Sequence, residues 1–203
     1  KADVCDKEAM EKIISGFDAV YHLAAQTDVR FADVQKDYET NFIGAKNVAE
    51  AAEKSGAKII FTSSCAVYGN CEEPVTEEAE TKPLSKYAWN KLQAERIMPK
   101  NAFITRFFNV YGSRGNSFIN RVCDAALKDK TVKVFGSGMQ TRDYVDVDDV
   151  VRALIMGLEL KGIYNIGTGK ETSTLSVIHV AESVTGKKIK LDFFPPNEEE
   201  IER

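Results

Sequence analysis

The sequence predicts an α/β fold built on a parallel sheet. Three observations carry this reading. Short apolar runs alternate with amphipathic stretches along the whole chain. The connections between them are short. Small or polar residues collect where several of the apolar runs end. Strands that alternate with helices pair in parallel, and the helices then cover both faces of the sheet.

Taken in order, residues 10–14 lie in a short amphipathic helix that stops at Gly16. Residues 18–23 are an apolar run, a buried strand entering the loop Ala24, Ala25, Gln26. A helical stretch follows over 33–54, with Ala45, Val48, Ala49 and Ala52 as its narrow apolar face and Gly56 as its stop. Residues 58–62 form a second buried strand, which runs into 63–69. The acidic stretch 70–82 is loop. A helix over 85–98 ends at Pro99, whose ring cannot continue it. Residues 102–107 form a third strand, followed by 109–112. Residues 117–128 are helical, 132–135 form a short strand, and 142–147 are strand-like. Asp148 is expected to cap a helix reaching residue 160. Strand 163–166, helix 174–185 and strand 188–194 complete the pattern, and 195–203 form a charged tail. No internal repeat or low-complexity segment appears.

Composition excludes several classes of function. Hydrophobic residues make up 43% of 203, a globular proportion. Lys plus Arg number 27 against 31 Asp plus Glu, a net charge of −4. That balance argues against nucleic-acid binding through a basic surface. No apolar run reaches the ~18 residues that a membrane-crossing helix needs. Cys5, Cys65, Cys71 and Cys123 fit no zinc spacing and are too few for a disulfide scaffold. They read as reduced thiols, and the expected location is cytoplasmic, with no metal site.

In such sheets, sites form beyond the carboxyl ends of the strands. Three polar groupings fall there: Leu23 to Gln26, Ser63 to Gly69, and Phe108 with Asn109. The helix after the second grouping carries Tyr87 and Lys91, four positions apart and so on one face. A phenol with a pKa of about 10 is a poor base at neutral pH. A neighbouring ammonium favours the phenolate, so Lys91 is expected to lower the pKa of Tyr87 and make the pair a proton-transfer device. His22, in an apolar strand, reads as a buried structural histidine. Trp89 reads as packing, and His179 has no assigned role.

The residues Asp3-Val4, His22-Leu-Ala-Ala25, Asn41-Phe-Ile-Gly44, Ser63-Ser-Cys-Ala-Val-Tyr-Gly69, Tyr87-x-x-x-Lys91, Arg106-Phe-Phe-Asn109 and Arg142-Asp-Tyr-Val-Asp-Val-Asp-Asp149 occur in one order over nearly the whole chain. This set resembles the extended short-chain dehydrogenase/reductases, the NAD-dependent epimerase/dehydratase family, and most of all the UDP-glucose 4-epimerases. The resemblance implies a Rossmann-like doubly wound parallel sheet lacking its first strands. Residues 1–108 would be a partial NAD-binding domain with the catalytic residues. Residues 109–203 would complete the sheet and form the nucleotide-sugar site. The family's Gly-x-x-Gly-x-x-Gly turn is missing from this sequence. The chain is expected to begin at the family's third strand and to stop before its C-terminal end.

The resemblance further implies Ser64, Tyr87 and Lys91 as catalytic residues and NAD as cofactor. Asp3 and Val4 would lie by the adenine, and Leu23, Ala24, Ala25 and Gln26 along the dinucleotide. Asn41, Ser63, Tyr87, Lys91 and Phe108 would complete the cofactor site. Ser64, Tyr87, Asn109 and Arg142 would hold the nucleotide sugar, with Asn116 and Phe135 adding nucleotide contacts. Relatives that eliminate water or CO2 carry carboxylates after the serine, where this chain has Cys65 and Ala66. The implied activity is a UDP-glucose/UDP-galactose type 4-epimerase, working as a homodimer paired through the helices at 33–54 and 85–98. Two alternatives stand beside it. One is a GDP-sugar epimerase-reductase using NADPH and Cys65, although Cys65 reads more readily as packing. The other is a non-catalytic dinucleotide-binding domain.

Overall fold

A computed structural model describes residues 1–27, 33–71 and 74–196. Glu72 and Glu73 of the acidic loop, and the charged tail from residue 197 on, lie outside the described residues. The chain divides into two compact units. The first holds Lys1–Gly69, Val75–Phe107 and Ala153–Asn165; the second holds Asn70–Pro74, Phe108–Arg152 and the chain from Ile166 on.

In the first unit, Asp6 caps α1 (Lys7–Ile14), its carboxylate accepting the Ala9 backbone N–H at 3.0 Å. Strand β1 (Ala19–His22) leads to the helical stretch expected over 33–54, which forms but is not uniform. Asp33 caps α2 (Val34–Tyr38); a π-helical turn spans Glu39–Gly44; α3 (Ala45–Ser55) then runs to Gly56, which ends it with a left-handed φ of 76°. A π turn is a local widening of the helix, often found at functional sites. Here it contains the buried Asn41. Gly44 closes it without a side chain because a Cβ there would lie 2.5 Å from Val4 Cγ2.

Strand β2 (Lys58–Ser64) is the centre of this unit. It pairs in parallel with β1, His22 opposite Phe61, and with β3 (Phe103–Phe107), Ser64 opposite Phe107. Helix α4 (Lys86–Arg96) connects β2 to β3, and Ser85 caps it by accepting the Ala88 N–H at 3.1 Å. With β7 (Gly162–Ile166) the sheet order is β1-β2-β3-β7. Ala45, Val48, Ala49 and Ala52 of α3 pack into one cluster with Met10, Ile14, Ile59, Phe61 and Ile104. The small-residue face expected to meet a second copy of the chain is thus spent on this core. Trp89 also departs from expectation. It is 51% exposed, since it projects away from the face that buries Ala88 and Leu92.

The second unit contains β4 (Asn109–Tyr111), α5 (Phe118–Lys128), β5 (Thr131–Phe135), β6 (Thr141–Asp146), β8 (Glu171–Ser173), α7 (Thr174–Thr185) and β9 (Lys190–Phe194). Helix α6 (Val147–Met156) follows β6 directly. The unit's own strands form smaller sheets, while β7 from this part of the sequence joins the first one. Strands β4 and β6 pair in parallel, β6 and β8 antiparallel, and β5 with β9 in a separate parallel pair. Val122, Ala125, Val132, Val134, Val177 and Ile178 form its core. Asp148 is not the cap of α6. It lies in the first turn, where its N–H donates to the Asp146 carboxylate at 2.8 Å, and the helix stops at Met156 rather than residue 160. Among the described residues no helix is long and apolar enough to cross a membrane.

His22 is buried, as its apolar strand predicts, and stacks on Phe61 with 5.7 Å between ring centroids. Burial first, and then the Lys91 charge, push its imidazole down from 6.5 to about 4. An unfolded histidine takes up its proton near 6.5, whereas the folded one resists until about 4. This contribution to stability is therefore complete above the unfolded value and is lost as the pH falls toward the folded one. The loss should reach roughly 2–3 kcal/mol at about pH 4.5. Urea unfolding at about pH 7 and about pH 4.5 should show that His22→Phe removes that part of the pH dependence.

Candidate active site

The site begins where β2 ends. Neighbouring side chains on a strand point to opposite faces, and Ser63 and Ser64 follow this. The Ser63 hydroxyl donates to Glu95 Oε1 at 2.5 Å. Ser64 instead faces the Tyr87 phenol, on which it acts to favour the phenolate. Its Oγ also accepts the Ala66 N–H at 3.2 Å, which opens the 3-10 turn Cys65–Tyr68. Tyr87 occupies the first turn of α4 and Lys91 the next. Lys91 is buried, not a solvated surface lysine; its Nζ donates to Thr62 O at 2.9 Å and lies 5.1 Å from the Phe61 ring centroid.

The expected lowering of the Tyr87 pKa does not hold for these residues alone. Burial pushes the phenol up to about 12, opposed by Ser64 and reinforced by Cys65 and Asp37. Burial pushes Lys91 down to about 8, opposed by Asp37 and Glu95. A dry site favours the neutral form of both groups. Charge added beside the phenol must therefore come from outside this set of side chains.

Two buried carboxylates surround the pair, and the sequence reading did not single out either. Glu95 lies one turn beyond Lys91. It receives Arg106 through Nε at 3.0 Å and Nη2 at 2.7 Å, a two-pronged ion pair at the end of β3. Arg106 also donates to the Tyr68 hydroxyl at 2.8 Å and to Glu77 O at 3.2 Å. Asp37, on α2, is 5% exposed; it accepts from Asn90 Nδ2 at 2.7 Å and from Asn41 Nδ2. Spacing carried the signal for both, since Tyr87, Lys91 and Glu95 recur every four residues, as do Asp37 and Asn41.

Asn41 joins the loop after β1 to this cluster. Its Oδ1 accepts Gln26 N–H at 3.0 Å and its Nδ2 donates to Gln26 O at 2.8 Å. Leu23 and Ala24 are exposed at that strand end, and Ala25 and Gln26 are half-buried. Asp3 is exposed; a hydrogen bond from the Cys5 backbone N–H at 2.9 Å holds its carboxyl below the usual range. Val4 is half-buried, with its carbonyl accepting Asn47 Nδ2 at 3.0 Å.

The remaining expected contacts belong to the second unit. The Phe108 N–H donates to Ile166 O at 3.1 Å. Asn109 pairs with Tyr144 in the β4–β6 ladder. Arg142, on β6, donates to Thr141 O at 2.7 Å. The Asp143 carboxylate next to it receives Thr168 N, Thr168 Oγ1 and Gly169 N at 2.6–2.9 Å. Asn116 is exposed, its carbonyl accepting from Arg121 at 3.1 Å. Phe135 tilts against Phe194 with 5.5 Å between centroids.

A serine at a strand end, a tyrosine beside it and a buried lysine one turn on define a short-chain dehydrogenase/reductase type of site. Residues 1–167 match the NAD dependent epimerase/dehydratase family, and the chain belongs to that family. The UDP-glucose 4-epimerase of Mycolicibacterium smegmatis is 33% identical, over 100% of this chain and 72% of the relative. The UDP-glucuronate 4-epimerase of Thermodesulfobacterium geofontis is 30% identical, over 94% of this chain and 65% of the relative. The structure of Thermus thermophilus UDP-glucose 4-epimerase in complex with NAD superposes with a TM-score of 0.93 at 30% identity, covering 100% of this chain and 73% of that one.

Two features of the first unit fit a dinucleotide. The Lys91 ammonium has three donors but, among the described residues, one acceptor, Thr62 O; ribose hydroxyls suit the others. Loop 23–26 lies beyond the carboxyl end of β1, the position such ligands take on an open α/β sheet.

Because Glu95 and Arg106 are both buried, removing one partner leaves the other charge uncompensated. Glu95→Ala should cost about 3–5 kcal/mol of stability in chemical denaturation. The double change Glu95→Leu with Arg106→Met should cost less than the sum of the single changes.

Proposed function

We propose that this protein is an NAD-dependent nucleotide-sugar 4-epimerase of the UDP-glucose/UDP-galactose type, with Tyr87 as base. The observation that carries the reading is Tyr87 beside Ser64 at the end of β2, with the Lys91 ammonium buried one turn further along α4. The named activities of the relatives support it. Cys65 and Ala66 support epimerisation over elimination, since neither supplies a carboxylate.

Asp3, Val4, residues 23–26, Asn41, Lys91 and Phe108 would hold the cofactor. Asn41 would act by fixing Gln26, and Ser63 through Glu95. When bound, oxidised NAD would supply a reversible hydride acceptor for C4 and positive charge beside the phenol. Tyr87 takes the proton of the C4 hydroxyl as the carbonyl forms, and Ser64 passes a hydrogen bond between the phenol and that oxygen. The 4-keto sugar turns over, and Tyr87 gives the proton back as the other face of C4 is reduced. Arg142 grips the diphosphate through its fork of donors, with Asn109 beside it, while Asn116 and Phe135 contact the nucleotide.

Tyr87→Phe keeps the ring and removes the base. Turnover should fall by roughly 10²–10⁴-fold with nucleotide-sugar affinity little changed. Lys91→Met should move the rise of the pH–rate profile to higher pH, because the phenolate loses a stabilising charge. Near-normal turnover of Tyr87→Phe would show that another group is the base.

A homodimer is part of the proposal. Val34 and Tyr38 of α2 and Trp89 of α4 are exposed, and a second copy would cover them. Sedimentation at micromolar concentration should give a dimer, and a monomer there would rule it out.

A further inference from the structure

Asp37 has no part in the chemistry above, yet its surroundings are unusual for a carboxylate. It is 5% exposed, and both oxygens accept hydrogen bonds from neutral amides, Oδ1 from Asn41 and Oδ2 from Asn90. The orientation of Asn41 is fixed independently: its Oδ1 receives Gln26 N–H, so its Nδ2 must face Asp37. Amide donors on both oxygens are the partners an acceptor-only carboxylate takes. A buried charge needs an opposite charge. Among the described residues Asp37 has no ion pair, whereas the other buried carboxylate, Glu95, has Arg106.

Lys91 has the complementary lack. Its ammonium is buried and, among the described residues, bonded only to a carbonyl. It directly follows Asn90, the residue on α4 that Asp37 holds. The ionisable groups acting on it are Asp37 from α2, Glu95 from α4, and His22 from β1; Tyr87 lies one turn before it on α4. Glu95 is engaged by Arg106 from β3 and by Ser63. His22 is neutral at working pH because burial pushes it to about 4. Cys65, in the turn after β2, acts on Tyr87.

We propose that Asp37 is a positioning residue for proton transfer: held by Asn41 and Asn90, it supplies the buried counter-charge that keeps Lys91 an ammonium beside Tyr87. The same negative charge acts on the phenol. Removing it makes both protons easier to lose. The active combination is phenolate with ammonium, so its pH window slides downward as a whole. This inference rests on the proposed role of the Tyr87–Lys91 pair.

The test is Asp37→Asn, which keeps the shape and removes the charge. In the protein without substrate, the carbon-13 shift of the Lys91 ε-methylene, assigned with Lys91→Met, should titrate roughly one pH unit lower than in wild type. Both limbs of the pH–rate profile should move to lower pH with it, and Asp37→Glu should bring both back. If Asp37→Asn does not fold, Asp37→Ser, which leaves room for water, gives the same reading. A rate lowered equally at every pH, with the Lys91 titration unmoved, overturns the proposal and leaves Asp37 a packing residue. An inactive wild type would overturn the epimerase reading instead, because the Lys91 titration needs no turnover.

Discussion

The Arg106–Glu95 ion pair is the constraint on which the rest of the first unit depends. It joins the end of β3 to the last turn of α4, and Ser63 binds the same carboxylate from β2. One residue further on, Ser64 meets Tyr87. A slip of α4 by one residue would rotate Glu95 off Arg106 and Tyr87 off Ser64 together. Register at the chemistry is therefore enforced one turn away from it, by two charges with no access to water. Arg106 extends the same control to Tyr68, which donates to Asn165 Oδ1 at 2.7 Å, and to the backbone at Glu77.

Dryness has a second effect. The surroundings that make the ion pair rigid also disfavour charge on Tyr87 and Lys91. A side chain poised as phenolate in the free protein would be a reactive base with nothing to act on. These residues hold the phenol neutral. In the proposed reaction the charge that ionises it is the cofactor's, which would couple chemistry to binding by electrostatics.

Much of this was legible in the sequence. The helices expected from about 33, 85 and 174 begin there, and β2 and β3 follow from uninterrupted apolar runs. The order of motifs identified the family, and four-residue spacing placed Tyr87 and Lys91 together. What stayed hidden depended on partners distant in the chain. Glu95 reads as one more helical acid until Arg106 faces it, and Asp37 is another until Asn90 does. The direction of the Tyr87 shift was missed because spacing reports a neighbouring charge but not the loss of water. The split of the later strands into small sheets was missed because periodicity identifies a strand without naming its partner.

The π turn at Glu39–Gly44 sets the phase between α2 and α3. Each residue added to a helix rotates everything after it by about 100°. Residues upstream of the turn place Asp37 toward α4, while those downstream place the alanines of α3 toward α1 and the sheet. A regular helix cannot satisfy both phases with this sequence. Loss of a single residue here would leave the element helical and of ordinary composition, yet would turn its alanine face out of the core. Length along this stretch is thus constrained by packing more tightly than residue identity, and a one-residue deletion within it would change how α3 meets the core.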